Sequence, residues 1–167
     1  MAASPENFTL DSGHYENIPL NAELLEHFTQ FARAVQKHDG TPAFSEQTLV
    51  ELSKAVRGES LVKPQVFAFT SAADNPELQA VLVAVPSPED SNEPGVLEAA
   101  VHPQMRGQGL GSAFFARVIE DLGSEVANYN LWVHGSATDT GIESPANELA
   151  EAAGFTPVRV LYKMVLP

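Results

Sequence analysis

One stretch of the sequence combines residue types able to receive an anion: Val96-Leu-Glu-Ala-Ala-Val-His-Pro-Gln-Met-Arg-Gly-Gln-Gly-Leu-Gly-Ser112. Glycines at 107, 109 and 111 strip side chains from one rim, so that successive main-chain N–H groups can converge on negative charge at the start of the following helix. Residues 99 to 119 contain no Asp or Glu, although an even spread of the 22 acidic residues over 167 positions would place two or three there. The same window holds His102, Arg106 and Arg117. In a chain of formal net charge −13, that local lack of negative charge is what an anion site requires. A Walker-type loop is excluded because no Gly-Lys-Ser/Thr follows. The dinucleotide fingerprint fails as well. Counted from Gly107 its third glycine falls on Ser112, counted from Gly109 it falls on Phe114, and His102 to Arg106 separate strand from loop. A tight strand-to-helix connection that binds nothing is the plain alternative.

Other chemistry-bearing residues are sparse. His134 shares a strand face with Trp132, which makes it a candidate for a proton relay at a cleft, with Trp132 packed below it. A histidine hydrogen-bonded at a strand end fits the same pattern. His14, His27, His38 and His102 show no paired ligand spacing, so no metal is expected. There is no cysteine, which excludes disulfides, thiolate zinc sites and a cysteine nucleophile, and suits a reducing cytoplasm. Nine basic residues against 22 acidic ones argue against a partner whose phosphates must be neutralised, so no nucleic acid is expected. The start of the chain lacks the basic and apolar regions of a signal peptide, and no stretch reaches the roughly 18 apolar residues of a membrane span. The expectation is a cytoplasmic chain without a membrane partner.

The elements that must position these residues follow from periodicity. A short edge strand is predicted around Tyr15 to Ile18. Asn21 can cap a helix whose apolar stripe is Leu24, Phe28, Phe31 and Val35, ending at Asp39-Gly40. Ser45 can cap a second, with Leu49, Leu52 and Val56 inward and Gly58 after it. Val66 to Phe69 and Ala80 to Val85 read as an antiparallel pair, and Val96 to Val101 as the next strand. Leu110, Phe114, Val118 and Leu122 recur four apart on the helix after the glycines. Asn130 to His134 reads as a strand, Ser144-Pro145 as a helix start closed by Gly154, and Val158 to Leu166 as a last strand. This order implies a mixed sheet with helices packed on it.

Arg106-x-x-Gly109-x-Gly111, after a strand ending Val101-His-Pro, resembles the acetyl-CoA signature of the GNAT acetyltransferases. Glu148-Leu-Ala-Glu-Ala-Ala-Gly-Phe155 is similar to that family's helix closing with Gly-Phe. The resemblance covers most of residues 15 to 166. It implies an α/β (α+β) GNAT fold, a mixed and mostly antiparallel sheet flanked by about four helices, with 1–14 a loose N-terminal segment and 15–167 one domain. Three segments together resemble the N-terminal half of the mycothiol synthases, which carry two tandem GNAT domains: Asp39-Gly-Thr-Pro-Ala-Phe-Ser-Glu46-Gln-Thr-Leu, Val101-His-Pro-Gln-Met-Arg-Gly-Gln-Gly-Leu-Gly and Leu131-Trp-Val-His134-Gly.

The resemblance further implies acetyl transfer from acetyl-CoA to the cysteinyl amine of cysteinyl-glucosaminyl-inositol, with a second GNAT domain following this one. Ala99, Ala100 and Val101 would offer main-chain groups to the pantetheine arm and thioester. Gly107, Gln108, Gly109, Leu110, Gly111 and Ser112 would cradle the pyrophosphate, and Arg106 of the signature would belong to the same cofactor-binding set. Glu46 matches a position that contacts the sugar–inositol, although an acid in the first turn of a helix is also favoured by the helix dipole. Many family members place a tyrosine five residues before the closing Phe to protonate the departing thiolate, where this chain has Ala150. Two other readings are a standalone GNAT acting on another small amine or a protein N-terminus, and a degenerate, non-catalytic GNAT module with a structural role.

Overall fold

In the computed structural model, residues 8–72, 77–89, 91–133, 136–138, 141–143 and 145–156 are described. Strand β1 (Gly13–Ile18) is followed by helices α1 (Ala22–Asp39) and α2 (Glu46–Val56), then by β2 (Gln65–Ser71), β3 (Leu78–Val85) and β4 (Gly95–Val101). A turn of 3-10 helix (Pro103–Met105) and the glycine loop lead into α3 (Leu110–Leu122). The chain continues through β5 (Tyr129–Leu131), a small hairpin of β6 (Ser136–Thr138) and β7 (Gly141–Glu143), and α4 (Pro145–Ala152). The main sheet has the order β1-β2-β3-β4-β5. Its first four strands are antiparallel, and β5 joins β4 in parallel. A parallel neighbour needs a crossover, and α3 supplies it.

Helices cover both faces of the sheet. On one, α1 buries Leu24, Phe28, Phe31 and Val35, the predicted stripe, and α2 buries Leu52, all against Val66, Ala68, Val81 and Val83. On the other, α3 buries Leu110, Phe114, Phe115, Val118 and Leu122 against Phe67, Phe69, Leu82, Ala84 and Leu97, with Leu149 and Phe155 at the margin. Strand β3 is buried from Ala80 to Ala84, as a central strand covered on both sides should be. The helix starts follow their caps: Asn21 Oδ1 accepts from Leu24 N–H at 2.8 Å and Ser45 Oγ from Thr48 N–H at 3.2 Å.

Three expectations need adjustment. Strand β5 ends at Leu131 instead of continuing to His134, because the ladder with β4 stops at Leu97–Leu131 and Trp132 adds only its N–H to Leu97 C=O, at 3.2 Å. Trp132 is 41% exposed. The β6–β7 hairpin has no counterpart in the periodicity, since three-residue strands are too short to show alternation. His134, Ser144 and the strand expected over Val158 to Leu166 lie outside the described residues.

Candidate functional site

The site is built where β4 leaves its parallel partner. β4 stays paired with β3 along its length, from Val96 with Val85 to Val101 with Ala80, but no described strand lies on its other side beyond Leu97. Three hydrogen bonds fix which main-chain groups face which way. His102 N–H donates to Gln79 C=O on the β3 side at 2.7 Å, whereas Leu97 C=O accepts on the β5 side. Val101 C=O also faces the β5 side and accepts from Arg106 Nε at 3.1 Å. Successive residues of a strand turn their N–H and C=O groups to opposite neighbours. Ala99 and Val101 therefore present theirs to the edge of β4 left open beyond the end of β5, the Val101 C=O being taken by Arg106, while Ala100 spends its own on Val81 of β3. Of the three residues expected to offer main-chain groups, the register singles out two.

The glycine loop follows at the end of this edge. Gly107 and Gly109 have φ of +77° and +88°, the left-handed region that favours glycine. Gly109 is the N-cap of α3 and offers no side-chain cap. No described acceptor takes the N–H of Gly107 or Gly109, and helix geometry leaves those of Leu110, Gly111 and Ser112 without internal partners. No acid occurs in the first turn of α3. At Gly111 an added Cβ would come 3.4 Å from Val101 Cγ2, so the helix start sits directly on the end of β4. This row of free amides at a helix N-terminus beside an unpaired strand edge fits an extended ligand with a polyanionic end. Two surface grooves, of about 640 and 490 Å3, lie at the other end of the sheet, lined by residues such as Pro86, Asn92 and Tyr129 or Ile18, Ala55 and Pro64. Neither touches the loop.

Arg106 is bound within the protein. Its Nη1 and Nη2 reach Asp39 Oδ1 and Oδ2 at 2.6 and 2.9 Å, a two-pronged pair, while Nε holds Val101 C=O. The guanidinium lowers the Asp39 carboxyl to about 2, with a smaller contribution from His38 Nδ1, 2.9 Å away. A second carboxylate ties α2 to the same strand. Glu98, only 5% exposed, accepts from Ser45 N–H at 3.0 and 3.2 Å, from Ser45 Oγ at 3.1 Å and from Thr48 Oγ1. The linker between α1 and α2 is thus pinned at both ends, and Glu46, which follows Ser45 as the first residue of α2, is exposed and makes no side-chain hydrogen bond among the described residues.

Asp39 and Glu98 were not singled out from the sequence as site residues. Glu98 had a signal, a lone charge in the apolar run Val96 to Val101, which asks for a buried partner. Asp39 had none, because its partner is 67 residues away. Ala150, at the position of the expected tyrosine, is buried, and its C=O accepts from Phe155 N–H at 3.0 Å. The tyrosines with defined surroundings are engaged elsewhere. Tyr15 donates to Asp121 Oδ2 at 2.7 Å beneath Arg117, and burial together with that carboxylate pushes its hydroxyl upward. Tyr129 stands at the start of β5 and is likewise raised by burial. Among the described residues no three His, Asp or Glu side chains gather as a metal site, and no helix is long and apolar enough to cross a membrane.

An open strand edge running into a glycine loop, on a sheet of this order, places the chain in a class: residues 22–155 match the acetyltransferase (GNAT) family, and the chain belongs to it. Among curated proteins it is 53% identical to a mycothiol acetyltransferase of Rothia mucilaginosa, over 98% of this chain and 46% of that protein. It is 35% identical to a mycothiol acetyltransferase of Paenarthrobacter aurescens, over 94% and 49% respectively. The chain spans about half the length of these relatives. Among solved structures it resembles a putative acetyl transferase from Pyrococcus furiosus, with a TM-score of 0.55, 17% identity and coverage of 92% of this chain and 100% of that one. It also resembles a tandem GNAT protein from the clavulanic acid biosynthesis pathway, with a TM-score of 0.55, 14% identity and coverage of 84% and 43%. These two share its fold.

Proposed function

We propose that this chain is the acetyl-CoA-binding N-terminal domain of a mycothiol synthase, an N-acetyltransferase that acetylates the cysteinyl amine of cysteinyl-glucosaminyl-inositol. The observation that carries the reading is the edge of β4 beyond Leu97, where no described strand pairs with the N–H and C=O of Ala99 or the N–H of Val101, running into the amides at the start of α3. Two relatives named mycothiol acetyltransferase, 53% and 35% identical and each about twice as long as this chain, support a transferase of mycothiol formation with a second domain besides this one.

In this reading the pantetheine arm lies along β4 as an added strand, hydrogen-bonded to Ala99 and Val101, with Ala100 serving as the residue between them. The diphosphate rests on Gly107, Gln108, Gly109, Leu110, Gly111 and Ser112, with Arg106 shaping the loop. Val101 N–H faces the thioester carbonyl and stabilises charge as it develops on that oxygen. Glu46 accepts hydrogen bonds from the hydroxyls or ammonium of the acceptor. The α-amine titrates near 8, so freeing it of its proton at neutral pH costs little, about 1.4 kcal/mol per unit of gap. Alignment of amine and thioester is the larger contribution, up to roughly 7 to 11 kcal/mol for a near-attack geometry.

Ala150 at the tyrosine position favours a division of labour in which this half binds acetyl-CoA and contacts the acceptor, and turnover needs the full-length protein. Calorimetric titration with acetyl-CoA tests the site: the wild-type chain binds and Gly109→Glu does not. Absence of binding by the wild type would favour a structural module. Assays with cysteinyl-glucosaminyl-inositol on this chain and on the full-length protein test the acceptor and the division. Activity is expected in the longer protein and little in this half.

A further inference from the structure

The glycine loop is shaped by a contact from outside itself. Arg106 closes the segment 101–106 into a ring by holding Val101 C=O, and Asp39 fixes that guanidinium from the far side through both carboxylate oxygens. Asp39 is the last residue of α1, where a negative charge is disfavoured by the helix dipole. Helix stability therefore does not account for an acid there, whereas the pair with Arg106 does. Three of the five N–H groups of Arg106 are used in this way, and the guanidinium charge is neutralised before any ligand arrives.

We propose that Asp39 is a positioning residue for acetyl-CoA binding: acting through Arg106, it holds the loop so that the amides of 107–112 point toward the open edge of β4, and the Arg106 charge is spent on Asp39 instead of on the diphosphate. This rests on the acetyl-CoA reading above. It makes Asp39 a partner of the ligand's grip, although it stands on another element and touches no part of the proposed site except Arg106. The rival arrangement, in which Arg106 is the direct counter-charge of the diphosphate and Asp39 competes for it, predicts the opposite sign.

The experiment is calorimetry with acetyl-CoA on this chain at several salt concentrations, for wild type, Asp39→Asn, Arg106→Gln and the double variant. The expected result is about tenfold weaker binding for each single variant, a double variant no weaker than the weaker single one, and the same slope of affinity against salt in all four. Asp39→Glu, which keeps the charge, should recover part of the loss. Tighter or unchanged binding by Asp39→Asn would overturn the proposal, as would a flattened salt slope in Arg106→Gln, the sign of a lost contact between charges. Thermal unfolding of each variant separates loss of fold from loss of grip. A wild-type protein that binds no acetyl-CoA would instead refute the acetyl-CoA reading itself, and this proposal with it.

Discussion

Glu98→Ala should destabilise the fold well beyond an ordinary surface change. The carboxylate serves the N–H and hydroxyl of Ser45 and the hydroxyl of Thr48. Hydrogen bonds to a charged group contribute about 1.5–3 kcal/mol each, and a buried donor left unpaired costs about 1–3 kcal/mol. Ser45 is exposed, so water replaces most of what it loses. Thr48 is 3% exposed, so its hydroxyl can turn only to Ser45 Oγ, 3.2 Å away. Adding the space left by the side chain, the net cost is about 2–4 kcal/mol, a large share of the ~5–15 kcal/mol that holds a domain folded. At about 2–4 °C per kcal/mol for a domain of this size, Tm should fall by roughly 5–15 °C. Glu98→Gln, which keeps one acceptor and the shape, should lose about half as much. Urea and thermal unfolding followed by circular dichroism provide the measurement. A loss below about 1 kcal/mol for the alanine variant would refute the claim that this carboxylate anchors α2 to β4.

The pair of Asp39 with Arg106 should also show in the pH dependence of stability. Because Asp39 titrates near 2 in the folded chain and near 3.8 when free, its contribution is full above about pH 4 and disappears as the pH falls toward 2. Wild type and Asp39→Asn should converge in stability across that window, and a constant difference would contradict the pairing. Gly111→Ala, in ordinary contact with Val101 and already helical, should be neutral or stabilising by up to about 1 kcal/mol. Gly107→Ala meets no neighbour, yet its positive φ should cost about 1–2 kcal/mol in the same unfolding assay. Equal effects at the two glycines would mean that φ does not set the ranking.

The parts of the fold legible in the sequence are those set by local rules. The stripe of α1, the Ser45 cap and the four-residue spacing on α3 reappear as buried side chains or capping bonds, because each depends on residues within a few turns. The point where β5 stops was not legible, since Trp132 and Val133 continue an alternating pattern that the parting of two strands overrides. The choice of Ala99 and Val101 over Ala100 needed the register with β3, which composition cannot supply. Arg106 reads as a free cation in the sequence and becomes a paired one only when α1 ends beside the loop.

The contacts of the proposed site are made by main chain, and that has a consequence for inheritance. A codon change at Ala99 or Gln108 alters a side chain but leaves each N–H and C=O where it was, so the pocket can be respelled without being rebuilt. The letters that cannot drift are those that bend the chain, Gly107 and Gly109. A lineage could lose most of its resemblance at this locus and keep the same grip.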